Sequence, residues 1–288
     1  MNVRQTILYS RFLERIGWRT NSCQQATVLV CSKTIGPFSL IKVLRPKTVP
    51  KAKEIKKIIK KNSFTKIQIE FENCFASIEE ADAFSLSEAK KINFSLAKSA
   101  FLPTASVFIN LNFPEKKIFS GFTEAKRRAV RRAQKHNLEV FESSDIDEFI
   151  NLKKIQLWPF GFLLDRTIKK LWKVFSPAEK AVLLLAKRKE DQEVLAGVFL
   201  LFHEKTAYYW LASSTQEGKL LFAPTLLVWE ALKLAKKRKM LELDFEGIVD
   251  ERFPETKSWS GFSKFKTGFG GKIVYYPRPI QKIFWPTL

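Results

Sequence analysis

Asp244 and Glu246 stand two residues apart in an apolar run, so a strand through them would carry both carboxylates on one face. Further along, Lys266 lies among Phe262, Phe265 and Phe269, in a segment holding Gly247, Gly261, Gly268, Gly270 and Gly271. Glycines let the backbone turn tightly and approach a ligand closely. A cation held in an apolar setting is partly desolvated, which is what stabilisation of a developing oxyanion requires. Two carboxylates beside it are able to accept a proton, or simply to pair with the many cations nearby. Histidine chemistry has less support: His136 lies in a basic stretch, His203 in a polar turn, and neither has a serine or cysteine partner in a recognisable motif.

These residues need elements to hold them. Ile7, Leu8, Phe12, Leu13 and Ile16 recur at helical spacing before Gly17. Ala26–Cys31 and Phe38–Leu44 are β-branched runs split by Gly36-Pro37, which predicts a hairpin. Lys42 breaks the second run; alternation puts such a lysine outward, and the other reading is a contact to a substrate phosphate. From Lys47 to Lys61, lysines alternate with Ile55, Ile58 and Ile59 in a basic amphipathic helix, either a solvated face or a surface for nucleic acid or an anionic membrane. Strands are predicted at Lys66–Phe71 and Ala105–Leu111, with a mixed polar stretch from Glu79 to Leu96 between them. Thr123 can cap a helix from Glu124 to His136, on which Arg128, Arg131, Arg132 and Lys135 share one face. So many like charges cost stability unless an anion neutralises them, and phosphate contact stands beside a plain solvated face as the reading.

Beyond it come a strand (Leu138–Phe141), two helices (Asp145–Leu157 and Asp165–Phe175) broken at Trp158-Pro159, and strands at Ala181–Lys187, Val194–Phe202 and Ala207–Ala212. A buried helix (Pro224–Lys237) and a strand (Met240–Phe245) follow. That order is the order of an acetyltransferase-like (GNAT) domain, a mixed sheet with helices on both faces. The loop before the buried helix, Thr215-Gln-Glu-Gly-Lys-Leu-Leu-Phe-Ala, has one glycine and makes a poor pyrophosphate cradle, which counts against acetyl-CoA as a donor.

The run Asp244-Phe-Glu-Gly, followed by Trp259-Ser-Gly-Phe-Ser-Lys-Phe-Lys-Thr-Gly-Phe-Gly-Gly271, resembles the C-terminal signature of the Fem family of peptidoglycan-bridge aminoacyltransferases. Pro103-Thr-Ala-Ser-Val-Phe-Ile-Asn-Leu, leading into the basic helix, is similar to that family as well, although the family commonly has asparagine and isoleucine where this chain has Ala129 and Val130. The resemblance implies an α/β (α+β) chain of two GNAT-like domains, each a mixed, mostly antiparallel sheet flanked by helices, expected at residues 1–119 and 120–288. It implies transfer of an amino acid from aminoacyl-tRNA to the stem-peptide amine of a peptidoglycan precursor, either UDP-MurNAc-pentapeptide or its lipid-linked form. The donor is then a substrate, and no cofactor or metal is expected. Phe265 and Lys266 would stand at the reacting ester. Tyr208 or Tyr209, beside Ser213 and Ser214, would line the acceptor pocket; on consecutive strand positions they face opposite ways, so at most one does so. Arg127, Arg128 and Arg131 would be phosphate contacts, and Asp244, Glu246 or the substrate's own diphosphate would take the amine proton.

Composition bounds these readings. The 288 residues are 45% hydrophobic, enough for real cores, and 50 Lys and Arg against 29 Asp and Glu give a formal charge of +21. Such a balance favours polyanions such as RNA, nucleotide diphosphates or an anionic membrane surface. Cys23, Cys31 and Cys74 form no metal-site or disulfide pattern, which fits a reducing compartment. Arg4, Arg11, Glu14 and Arg15 interrupt the first residues, and the longest apolar stretch falls well short of the ~20 residues of a membrane span, so a cytoplasmic protein with at most peripheral contact to the inner membrane is expected. Two rivals remain: a GNAT-type N-acyltransferase using another acyl donor, and a non-catalytic RNA-binding protein.

Overall fold

Alternation of β-branched residues organises the first sheet. Val28 and Val30, Ile41 and Val43, Ile67 and Ile69, and Ile280 all leave one face and form a core with Phe71 and Ala89. The computed structural model describes residues 1–23, 28–50, 57, 59, 64–156 and 162–286; side chains at 22, 23, 156 and 162–165 are also left aside. The chain forms two compact units. The first comprises Met1–Ser106, Gly247–Ser260 and Ile273–Leu288, and the second Val107–Glu246 and Gly261–Lys272.

In the first unit, helix α1 (Ile7–Arg15) starts on Thr6, whose side chain accepts the Tyr9 N–H. Strands β1 (Arg19–Cys23), β2 (Val28–Ile35), β3 (Phe38–Leu44) and β4 (Phe64–Glu70) follow, with β2 and β3 joined as the expected hairpin. β1 pairs with β2 through Thr20↔Cys31. Its sequence, Arg-Thr-Asn-Ser-Cys, has no apolar alternation, and the strand was not foreseen. Helix α2 (Ile78–Ile92) and the two-residue strand β5 (Ser95–Leu96) resolve the mixed stretch. The last strand, β13 (Ile280–Phe284), lies between β4 and β5, so the sheet runs β1-β2-β3-β4-β13-β5. Lys47–Pro50 are not helical; the rest of the predicted basic helix, apart from Lys57 and Ile59, lies outside the described residues, as does the Trp158-Pro159 break.

The second unit carries β6 (Ala105–Asn110), α3 (Glu115–Ser120), α4 (Glu124–Lys135), β7 (Leu138–Ser143), α5 (Ile146–Gln156), α6 (Phe162–Phe175), β8 (Ala181–Arg188), β9 (Val194–His203), β10 (Thr206–Ser214), α7 (Gln216–Leu220), α8 (Ala223–Lys237), β11 (Glu242–Asp244) and α9 (Ser260–Thr267). Of the edge strand β12 (Lys272–Tyr275) only Lys272 belongs to the second unit, and the seven-stranded sheet has the order β12-β6-β11-β10-β9-β8-β7. Its centre is antiparallel, apart from the parallel pair β10 and β11. Leu195–Phe202 of β9 is buried throughout, with α5 and α8 packed against it, which explains why that strand reads as a continuous apolar run. Both sheets are mixed, mostly antiparallel and flanked by helices, the fold class expected from the sequence.

Candidate active site

β11 is shorter than the sequence predicts: it ends at Asp244, and Glu246 lies beyond it in a left-handed backbone conformation with φ 56°. The two carboxylates therefore do not share a strand face. Instead the chain turns, and the Glu246 N–H donates to Asp244 Oδ1 at 2.8 Å. The turn ends the ladder and still leaves both acids beside one cation. Lys266 is held in α9, where Phe262 is one turn earlier and Phe265 adjacent. Its side chain is 9% exposed, with Nζ 5.0 Å from the centre of the Phe262 ring. Burial lowers its pKa to about 8, and the charges of Glu246 and Asp244 act in the opposite direction. The site thus contains a desolvated ammonium with two carboxylates in electrostatic reach.

β10 decides which tyrosine belongs to this side. Its ladder slips between Tyr209 and Leu211 against β9, so Tyr208, Leu211 and Ser213 pair with Leu201, Phe199 and Gly197 and share one face. Tyr208 is also the register partner of Asp244. Tyr208, Ser213 and Asp244, all buried, therefore project from the same side of the sheet. Tyr209 projects from the other side, packs 5.3 Å from Phe245, and has its hydroxyl pKa raised by burial. From Phe245 the ring contacts continue through Phe269 and Phe122 to Trp229 of α8. Tyr209 belongs to that aromatic core.

The basic helix is capped as expected, with Thr123 Oγ1 accepting the Lys126 N–H, and it buries Ala129, Val130 and Ala133. Its arginines differ in what they touch. Arg127 donates to the carbonyls of Ser120 and Phe122 and so closes the turn before the helix. Arg128 pairs with Glu124 at 3.6 Å on the surface. Arg131 is exposed, 5.8 Å from the Phe119 ring. Lys126, one residue before them, went unnoticed in the sequence. Its Nζ stands 3.8 Å over the Phe265 ring and 5.0 Å from Phe269, and burial lowers its pKa to about 8. The stem of Lys126 crosses Gly268, where a Cβ would come within 2.8 Å of Cε, and the Gly268 carbonyl accepts the Thr123 N–H at 2.9 Å. That contact appears only when α4 and α9 are brought together; the sequence signal was the glycine.

The loop expected before α8 is in part the short helix α7, with Thr215 Oγ1 accepting the Gly218 N–H. Gly218 is required by packing, since a Cβ there would lie 2.4 Å from the Leu195 carbonyl oxygen. In the first unit, Lys42 is neither free in solvent nor simply outward. Its Nζ sits 3.4 Å from the centre of the Phe101 ring and 4.9 Å from Trp18, and burial lowers its pKa against the opposing charge of Glu70. The Glu70 carboxylate accepts the N–H groups of Phe101 and Leu102 at 2.7 and 2.8 Å, which fixes the ring over Lys42.

Residues 166–282 match the FemAB family model, and this span contains β10, β11 and α9 with Tyr208, Ser213, Asp244, Glu246, Phe265 and Lys266. This segment is similar to the FemAB family. The signature read from Asp244 to Gly271 falls inside it, while Lys42, Lys126 and the arginines of α4 lie outside it. Among solved structures the chain is similar to FemX, at 16% identity and a TM-score of 0.80, over 98% of this chain and 92% of that one. It is also similar to the C-terminal domain of a protein described as a lysylphosphatidylglycerol synthetase from Agrobacterium fabrum (12% identity, TM-score 0.63, 96% and 88% coverage). A tandem GNAT protein from the clavulanic acid biosynthesis pathway matches at 7% identity and a TM-score of 0.56, over 91% of this chain and 79% of that one. These likenesses establish the two-unit GNAT-like fold around the FemAB segment. No curated protein matches the sequence. No described helix is long and apolar enough to cross a membrane, and no described cluster of His, Cys, Asp and Glu could hold a metal ion.

Proposed function

We propose that this protein is a peptidoglycan-bridge aminoacyltransferase that moves an amino acid from aminoacyl-tRNA to the stem-peptide amine of a peptidoglycan precursor. The observation that carries this reading is Lys266: a buried lysine beside two carboxylates, in the segment that matches the FemAB family model. In the reaction the neutral amine attacks the ester carbonyl carbon, a C–N bond forms, and the carbonyl oxygen becomes an oxyanion. Lys266, protonated below pH about 8, faces that charge. The amine gives its proton to Asp244, Glu246 or the precursor's diphosphate; the C–O bond then breaks, and the departing ribose oxygen is protonated. Phe265 packs beside the reacting ester, with Lys126 supplying a second cation over its ring. Tyr208 and Ser213 contribute hydroxyls on the Asp244 side of the sheet. Arg128 and Arg131 meet donor phosphates, and Lys42 meets a phosphate of the precursor.

The test is single-turnover transfer from a mixed pool of radiolabelled aminoacyl-tRNAs. Three acceptors are offered: UDP-MurNAc-pentapeptide, its lipid-linked form, and phosphatidylglycerol, the last because of the fold shared with the lysylphosphatidylglycerol synthetase domain. Label on either precursor supports the proposal and fixes the acceptor and the amino acid together. Label on phosphatidylglycerol alone replaces the acceptor. Tight tRNA binding without transfer favours an RNA-binding protein, and neither transfer nor tRNA binding favours another acyl donor.

A further inference from the structure

One end of the first unit's sheet leaves a row of large apolar side chains in solvent. Ile35, Phe38 and Trp285 are 70%, 61% and 75% exposed. Register aligns Ile35 with Phe38 across the hairpin and Phe38 with Phe64 in the next strand. The Phe38 and Phe64 rings meet edge to face at 5.8 Å, and Phe64 and Trp285 at 4.9 Å. Around Gly36, at the hairpin tip, the position of a Cβ has no heavy atom within 4 Å, so the turn projects into open space. Two residues back along the strands, on the same face, the next row is Lys33, Leu40, Lys66 and Ile283. Ile283 is exposed and the two lysines half-buried. An apolar rim thus stands in front of a cationic row, ~7 Å behind it at the rise of a strand.

We propose that this end of the sheet is a docking surface for an anionic lipid bilayer. Aromatic rings settle at the level of lipid headgroups, and an amphipathic surface sinks ~5–10 Å into that layer, which brings Lys33 and Lys66 to the phosphates. Charge supports lipid over a second copy of the chain. A second copy seated rim to rim would bring two chains of charge +21, with their lysine rows, against each other, whereas an anionic leaflet attracts both. A nucleic acid would use the Phe38 and Trp285 rings for base stacking but would gain nothing from the exposed aliphatic Ile35 and Ile283, which a bilayer buries. The inference goes beyond the proposed reaction and does not depend on it, because vesicle binding requires neither donor nor acceptor.

The full chain is sedimented with vesicles of phosphatidylcholine alone and of phosphatidylcholine mixed with phosphatidylglycerol. Binding to the mixed vesicles, weaker on phosphatidylcholine, is expected. Phe38→Ser with Trp285→Ala is expected to lower partitioning at least about tenfold, from the loss of two buried aromatic surfaces. Lys33→Gln with Lys66→Gln is expected to remove the preference for anionic lipid while leaving the melting temperature near that of the parent. Equal sedimentation of the parent and both variants overturns the proposal. So does a concentration-dependent dimer that Trp285→Ala dissolves, which assigns the rim to a second copy, or a loss of tRNA affinity in the rim variant without change on vesicles, which assigns it to RNA.

Discussion

The buried amine of Lys266 and the half-buried amine of Lys126 are costly as structure, and this makes them testable as chemistry. Replacing Lys266 by Met keeps the stem and removes the charge. Transfer is expected to fall ~10²–10³-fold, the usual loss for one oxyanion-stabilising group. Stability at neutral pH is expected to stay level or rise, because the buried cation is disfavoured there. The pH dependence follows from the same shift. The folded-state pKa is about 8, while an unfolded lysine titrates near ~10.4, so between these values the unfolded chain binds more protons. Stability of the parent therefore rises with pH through that window, and denaturant unfolding of Lys266→Met is expected to show a smaller rise. Transfer itself is expected to decline above pH about 8 as the cation is lost. Lys126→Gln should lower transfer more than Arg128→Gln, since Arg128 makes only a surface pair, worth ~0.3–0.5 kcal/mol; equal effects would remove Lys126 from the site. Sequence made Lys266 visible because Phe262, Phe265 and Phe269 flank it within one short stretch of chain. Lys126 stayed hidden because its rings come from another part of the chain.

Elements place these groups through glycines that tolerate no substitution. At Gly270, φ is 74° and a Cβ would lie 2.4 Å from the Gly121 carbonyl oxygen; Gly271 faces the Phe108 carbonyl in the same way at 2.5 Å. Gly270→Ala is expected to cost about 3 kcal/mol or more in denaturant unfolding, from backbone strain and overpacking together. Gly261 gives the contrast. Nothing lies within 4 Å of its would-be Cβ, and Gly261→Ala at the start of α9 is expected to be neutral or to stabilise by up to about 1 kcal/mol. If both changes cost the same, the close approach at Gly270 is not what positions α9. Most elements were legible because hydrophobic period and caps agree, as for α4, β3 and α8. β11 was read too long because Phe245 continues the apolar run, although the left-handed turn at Glu246 breaks the ladder. β1 was missed because polar residues occupy an outer strand, held by pairing to β2 and by hydrogen bonds from Thr20 to Ser10 and Glu14 of α1.

At the scale of the whole molecule, the order of elements pointed to one GNAT-like unit in the second half and the family resemblance implied another before it, but neither told which stretches assemble each unit. β13 comes from the end of the chain and pairs with β4 through Gln281↔Gln68, a partnership no local pattern announces. The first unit is tied further by Arg252, whose buried guanidinium meets Asp250 at 2.7 Å, Asp82 of α2 at 2.6 Å and the Tyr276 carbonyl at 2.9 Å. Burial alone would raise the Asp250 pKa, but hydrogen bonds and charge from Arg252 hold it below the usual carboxylate range. Arg252→Ala leaves a buried carboxylate without its partner and is expected to cost ~3–5 kcal/mol, read by denaturant unfolding. An unchanged midpoint would mean that chain pairing alone holds that unit together. The central claim is that Lys266 serves transfer and not folding, and single-turnover transfer from the aminoacyl-tRNA pool to UDP-MurNAc-pentapeptide and its lipid-linked form, with Lys266→Met in parallel, tests it most directly. The account predicts label on one of these acceptors with the parent, loss of that label with the variant, and an undiminished melting temperature. Label transferred equally well by the folded variant would contradict it.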